Sequence, residues 1–181
     1  PSNVSVTTAT LSNVGLFVIK NHKTTYRFSG MKLSSTSGGG AHGIVSSTGA
    51  YAEYGQMEFG AFAGGTSQQL RAEDNGLIKC IGNYAISGGA GAHWTSNGGG
   101  GMRCQFMTIT LSNTPDFSGL GFCNAQYASQ CIVNGNTFPG TVATGKHYMV
   151  TENSLIKTNG AGETYLPGNA TGSMATQGLY V

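Results

Sequence analysis

Few residues in this chain could carry acid–base chemistry. It has seven acidic residues, and the candidates for a catalytic role among them are Glu53, Glu58, Glu73 and Asp74. Hydrolysis of a glycosidic bond needs two carboxyl groups about 5–9.5 Å apart. Glu73 and Asp74 are adjacent, so in an extended segment their side chains point to opposite faces. A working pair therefore depends on how the fold brings distant segments together.

Aromatic and histidine side chains beside glycine-rich turns form a second group of candidates. Binding pockets are commonly lined by aromatic rings with a few polar neighbours. The residues that fit this description are Tyr51, Tyr54, His93, Trp94 and Tyr127. The triplet Gly-Ala-His ends at His42 and again at His93, which predicts that the two histidines share one side of the molecule. The alternatives are core positions for Tyr51, Tyr54 and Trp94, and turn positions for the histidines.

The cysteines suggest packing rather than chemistry. Cys80, Cys104 and Cys131 recur at nearly constant spacing, and Cys123 lies outside that series. The chain has no Cys-x-x-Cys pair and no clustered histidines to complete a zinc site. We therefore predict a stack of reduced, buried thiols, with no metal and no cofactor.

The same spacing runs through the whole sequence and identifies the elements that hold these residues. A flexible residue or an asparagine followed by an apolar residue returns about every 26 residues, which is typical of a solenoid. The repeat units end at Leu33, Phe59, Ile86, Leu111, Phe138 and Leu155, and the first five of these residues are predicted to stack inward as one ladder. A second predicted ladder comprises Ile44, Leu70, Trp94 and Leu120.

Composition decides between helical and β repeats. The chain has 30 glycines and only 9% charged residues, and its apolar residues occur in short runs bounded by glycine and asparagine turns. We therefore predict an all-β fold, a right-handed parallel β-helix of about six rungs. Stacked apolar ladders explain why so few charges are needed, and they distinguish the chain from a disordered one.

The repeat also predicts where the acids lie. One period beyond Glu53 falls near Lys79, and one period beyond Glu58 falls near Tyr84. One period beyond Glu73 or Asp74 reaches the glycines around Gly98. No acid meets another in register, so a site shared between subunits, or one in coils outside this sequence, stays open.

Charge and hydropathy argue against two classes of partner. The net charge is only +2, and the nine basic residues are scattered along the sequence, whereas nucleic-acid binding favours a clustered basic face. No stretch approaches the 18 apolar residues that a membrane-spanning helix requires. We expect neither nucleic-acid binding nor membrane insertion.

The last segment departs from the repeat. We divide the chain into a β-helix domain, 1–158, and a glycine-rich tail, 159–181, in which the ladder pattern stops but apolar residues continue. Glycine loses much conformational freedom on ordering, so this tail is expected to need contacts from other chains. The predicted trimer contacts are Tyr165, Leu166, Met174, Leu179 and Tyr180.

A β-helix followed by Asn-Gly-x-Gly, Tyr-Leu-Pro-Gly-Asn-Ala-x-Gly-Ser and a final Gly-Leu-Tyr-Val resembles the C-terminal part of tailed-bacteriophage tailspikes and tail fibres. The resemblance is strongest over 147–181. It implies a homotrimer on the virion tail that recognises a bacterial surface polysaccharide such as O-antigen or capsule, and many members also cleave that glycan. The aromatic and histidine candidates named above are then the predicted carbohydrate-binding residues. The alternatives are a polysaccharide-degrading β-helix enzyme, either an endoglycosidase or a lyase, and a purely structural trimerisation tip.

Overall fold

The fold is built from short strands separated by tight turns. The computed structural model describes residues 4–8, 15–21, 24–38 and 40–181. The first strands are β1 (Val4–Thr8), β2 (Gly15–Lys20), β3 (Thr25–Phe28), β4 (Met31–Ser35), β5 (His42–Ser47), β6 (Tyr51–Tyr54), β7 (Glu58–Phe62), β8 (Gln68–Ala72), β9 (Leu77–Cys80) and β10 (Tyr84–Ile86). The remaining strands are β11 (Ala92–Ser96), β12 (Gly101–Arg103), β13 (Ile109–Leu111), β14 (Asp116–Phe117), β15 (Gly121–Ala125), β16 (Gln130–Ile132), β17 (Thr144–Gly145), β18 (Tyr148–Val150), β19 (Leu155–Lys157), β20 (Ser173–Met174) and β21 (Leu179–Tyr180).

These strands form three long parallel sheets that the chain visits in turn. The first sheet has the order β1-β4-β7-β10-β13, the second β2-β5-β8-β11-β15-β18-β20, and the third β3-β6-β9-β12-β16-β19-β21. Strands β14 and β17 pair separately. Each of the first five coils therefore adds one strand to each sheet, and the last part of the chain extends only the second and third sheets. The result is the predicted right-handed parallel β-helix of about six turns.

The first inward ladder is confirmed over four coils. Strand pairing aligns Leu33 with Phe59, Phe59 with Ile86, and Ile86 with Leu111, and all four side chains are buried. The predicted register of the later members is wrong, although Phe138 does pack against the core as predicted. Gly140 pairs with Leu111 and Thr137 with Thr108, so Phe138 lies beside Ile109. Leu155 belongs to the third sheet.

The second ladder is confirmed for Ile44, Leu70 and Trp94 but not for Leu120. Trp94 pairs with Cys123, which in turn pairs with Tyr148. The cause is the extra strand β14, which lengthens this coil and delays the return of the chain to the second sheet. A constant period therefore places Leu120 where Cys123 actually lies.

The same irregularity separates the cysteines. Arg103 pairs with Lys79, so Cys104 lies beside Cys80 on the neighbouring coil. Cys131 pairs with Met102 instead, so the predicted stack of three is wrong. All four cysteines are free and buried, as predicted.

Aromatic side chains fill the interior of the middle coils. Phe59 contacts Tyr54, Tyr84 and His93, with ring centroids 5.4–5.9 Å apart. Trp94 packs edge-on against the next ring, Phe122, at 5.0 Å. Rings from consecutive coils and from different sheets thus interlock along the axis of the solenoid.

Candidate functional site

Glu53 is held by an ion pair and a tyrosine on the outer face of the third sheet. Arg27 donates to its carboxylate at 2.7 and 3.0 Å, and the Tyr51 hydroxyl donates at 2.9 Å. The hydrogen bond from Arg27 is the main reason why the pKa of Glu53 lies below its ordinary value. The group is therefore a fixed anion that orients its neighbours and is poorly suited to donate a proton.

Glu58 has a similar arrangement on the first sheet. Its carboxylate lies 2.6 Å from the Lys32 ammonium and accepts a short hydrogen bond from the Ser87 hydroxyl. The contact with Lys32 is the largest cause of its lowered pKa. In the strand pairing Glu58 faces Lys32 on one side and Ala85 on the other.

Glu73 lines a cavity of about 420 Å³ on the second sheet, together with Lys20, His42 and Arg71. Arg71 donates to Glu73 at 2.6 Å and lies 3.3 Å from the His42 ring. Burial, helped by the charge of Arg71, lowers the pKa of His42 to about 4. The cavity therefore holds a neutral histidine and an acid already paired with an arginine.

Asp74 completes the four catalytic candidates and lies at a corner of the coil. Its backbone is left-handed, with φ 48°, and its carboxylate accepts a 3.3 Å hydrogen bond from Ser47. Glu53 pairs in register with Lys79, and Asn75, next to Asp74, donates to the Gly98 carbonyl. The predicted neighbours of the acids are confirmed to within one residue, and none of those neighbours is an acid.

Three of the five carbohydrate-binding candidates belong to the core. Tyr54, His93 and Trp94 are fully buried, so no ring face is open to a sugar, and their assignment as binding residues is wrong. Their polar atoms find partners within the core: the Trp94 indole donates to the Tyr54 hydroxyl at 3.0 Å, and the His93 ring forms hydrogen bonds with Tyr84 at 2.7 Å and Gln69 at 2.6 Å.

The two histidines of the repeated triplet do not share a side. His42 pairs in register with Gln68, which pairs with Ala92, so His93 stands one residue further along its strand. His42 contacts the outer residue Arg71, whereas His93 lies among core rings. A shift of one residue in a strand reverses the side chain's direction.

Tyr51 and Tyr127 stay accessible, and their binding role remains a prediction. Tyr51 is partly buried, with its hydroxyl fixed by Glu53. Tyr127 is 55% exposed at a turn. The sequence analysis missed Phe106, which is 75% exposed just beyond the third-sheet strand β12.

The tail continues the solenoid instead of leaving it. Strand β20 pairs with β18 and strand β21 with β19, both in parallel, so two of the sheets gain a further strand. The predicted end of the ladder pattern at residue 158 is therefore wrong. Three of the five tail glycines, Gly168, Gly172 and Gly178, lie at close approaches: a Cβ on Gly178 would lie 2.4 Å from the Val150 carbonyl oxygen. Gly160 and Gly162 have open space around them.

Three of the five predicted trimer contacts pack within their own chain, and the other two are exposed. Leu166 is buried within its own chain and cannot reach another subunit, so its assignment is wrong. Tyr165 packs against Phe138, and Tyr180 stacks on Tyr148 with centroids 4.0 Å apart. Met174 and Leu179 are half exposed and keep the prediction open.

Comparison with known proteins adds no relative. No family model, no curated protein and no solved structure matches this chain. The described part of the chain contains no helix long and apolar enough to cross a membrane.

Proposed function

We propose that this chain is the distal part of a phage tailspike or tail fibre, which forms a homotrimer and recognises a bacterial surface polysaccharide. The observation that carries the proposal is the apolar surface of the last coil. Met174, Leu179 and Val181 are 41–52% exposed there, whereas Tyr165, Leu166 and Tyr180 of the same tail pack against the core of their own chain. Three chains around one axis would bury such side chains in closed contacts.

The arrangement of the acids favours recognition over cleavage. Glu53, Glu58 and Glu73 each form an ion pair at 2.6–2.7 Å, and the strand register sets cations, not acids, beside Glu53 and Glu58. A retaining or inverting glycosidase needs two carboxyl groups facing one bond. Tyr51 and Tyr127 are the accessible rings proposed to stack on a sugar.

Assembly is tested by light scattering after size-exclusion chromatography. We expect a mass three times the 18.6 kDa of one chain, and dissociation in the double variant Met174→Ser, Leu179→Ser. Both side chains are half exposed, so one chain should still fold. The matched control is Val18→Ser, an exposed apolar residue of the first coils, which should leave the mass unchanged. A monomeric native chain would contradict the proposal.

Glycan recognition is tested on an array of bacterial surface polysaccharides. We expect binding by the native chain and a reduced signal for Tyr127→Ala and for Tyr51→Ala. A trimer that binds no polysaccharide would support the purely structural tip instead. Release of reducing sugar from a bound polysaccharide would show an enzyme.

A further inference from the structure

One line of outward side chains on the third sheet carries much of the positive charge. Strand pairing places in one continuous register Arg27, Glu53, Lys79, Arg103, Ile132 and Lys157; we call these residues the basic line. It holds four of the nine basic residues and one of the seven acids. The basic residues that looked scattered in the sequence are therefore aligned by the coil.

Three cations on the basic line are free to bind a partner. Lys79, Arg103 and Lys157 are exposed, and in the part of the chain that the structure describes no carboxylate lies within ion-pairing distance of them. Glu53 is already bound to Arg27 at 2.7 Å. Unpaired, solvated cations on a flat face attract anions without first breaking an internal contact.

The spacing of these cations suits a sparsely charged polymer. Neighbouring strands lie about 4.8 Å apart, so Lys79 and Lys157, three strands apart, span about 14 Å. A DNA duplex of that length carries about eight negative charges, against three free cations here. A linear polysaccharide with a carboxylate on some of its sugars has a charge density closer to that of the line.

The face also offers contacts for the uncharged parts of a sugar. Two residues before the basic line on each strand, and so on the same face, runs a parallel row of Tyr51, Leu77, Gly101, Gln130 and Leu155. The Tyr51 hydroxyl is fixed by Glu53, which restrains the ring. The row thus combines a ring, aliphatic carbons, an exposed amide and a glycine notch.

We infer that the outer face of the third sheet binds an anionic, carboxylate-bearing polysaccharide that runs parallel to the solenoid axis along the basic line. This inference rests on the proposed glycan recognition and names its substrate class. Lys79, Arg103 and Lys157 pair with the carboxylates, and Tyr51 contacts a sugar ring. Because these ion pairs are exposed, binding weakens as salt concentration rises.

The test uses the full chain on the same polysaccharide array, with acidic and neutral polymers compared. We expect signals from acidic polymers, and loss of those signals after chemical reduction of their carboxylates to alcohols. The triple variant Lys79→Gln, Arg103→Gln, Lys157→Gln should bind acidic polymers at least tenfold more weakly. Each single neutralisation should lower affinity about two- to fivefold, as expected for an exposed ion pair.

Two matched controls separate charge from structure. The charge-preserving variant Lys79→Arg, Arg103→Lys, Lys157→Arg should bind as the native chain does. Lys20→Gln removes an exposed cation from the second sheet and should have no effect. Conversely, Ile132→Lys fills the gap in the basic line and should strengthen binding.

The outcomes that would overturn the inference are distinct. Binding only to neutral polymers, unchanged in the triple variant, would sink the inference but keep the proposed glycan recognition. Binding to no polysaccharide would sink both. Tighter binding to a DNA duplex than to acidic polymers, abolished by the triple variant, would assign the line to nucleic acid.

Discussion

The middle coils and the last coil follow the same strand register, yet they differ in how completely they bury apolar side chains. In the middle, Phe59 and Trp94 are completely buried because rings from the coils on both sides cover them. In the last coil, Met174 is about half exposed, although it pairs in register with the fully buried Val150. A solenoid repeat is stabilised by its nearest neighbours, so burial depends on what lies above and below a coil rather than on its own sequence.

The largest effect on stability is expected from a substitution in the core of the middle coils. Phe59→Ala removes a ring that contacts three other rings, and it should lower the free energy of unfolding by about 3–5 kcal/mol. The measurement is chemical denaturation followed by circular dichroism. Phe106→Ala, at a ring that is mostly exposed, should change it by less than about 0.5 kcal/mol. Equal losses in the two variants would contradict the interlocked core.

The second-largest effect is expected from lowering the pH, which should reduce the stability of the coils that hold His42 and His93. Burial lowers the pKa of His42 to about 4 and that of His93 well below its ordinary range. Well above pH 6.5 these two imidazoles are neutral in both the folded and the unfolded chain. Below pH 6.5 they bind protons in the unfolded chain while they remain neutral in the folded chain. His42 alone should therefore cost about 2 kcal/mol of stability between pH 7 and pH 5.

This pH range isolates the histidines from the acids. Glu53 and Glu58 have lowered pKa values, so their stabilisation is present above their ordinary pKa near 4.5 and is lost only below it. Urea denaturation at a series of pH values measures the slope. His42→Gln should flatten the slope between pH 7 and pH 5, and an unchanged slope would show that His42 titrates normally.

A smaller effect is expected from the last coil within one chain. Tyr180 stacks on Tyr148 and donates its hydroxyl to the Gly162 carbonyl at 3.0 Å. Tyr180→Leu should cost about 1 kcal/mol, the usual contribution of an aromatic pair. Amide hydrogen exchange should show the loss locally, as faster exchange in β20 and β21. Tyr127→Leu, at an exposed ring, should leave that exchange rate unchanged.

The sequence predicted residues on regular coils better than residues near irregular ones. Leu33, Phe59, Ile86 and Leu111 follow a constant period because their coils have nearly equal lengths. The prediction failed after Leu111, where β14 lengthens a coil. Nothing in a period reveals such an insertion, because turn residues look alike whether a turn is short or long.

The candidate site shows the same division. The residues that lie beside the acids on adjacent coils could be predicted from the repeat period alone. Arg27, Glu53, Lys79 and Arg103 show nearly the same spacing, so the sequence contained the basic line, and the prediction missed it. The burial of His93 and Trp94 was not predictable in this way. Two consecutive strand residues normally point to opposite faces, yet both of these rings reach the interior.

The sequence by itself determined the parallel β-helix, its approximate number of coils and the buried thiols, because repeated apolar residues and glycine turns leave few other ways to bury a core. Tertiary structure alone decided which side chains are accessible. It packed Leu166 inside its own chain, set Tyr54 against Trp94, and lined up the free cations of the third sheet. Accessibility depends on contacts between residues about one coil or more apart, and those contacts depend on the exact length of every turn between them.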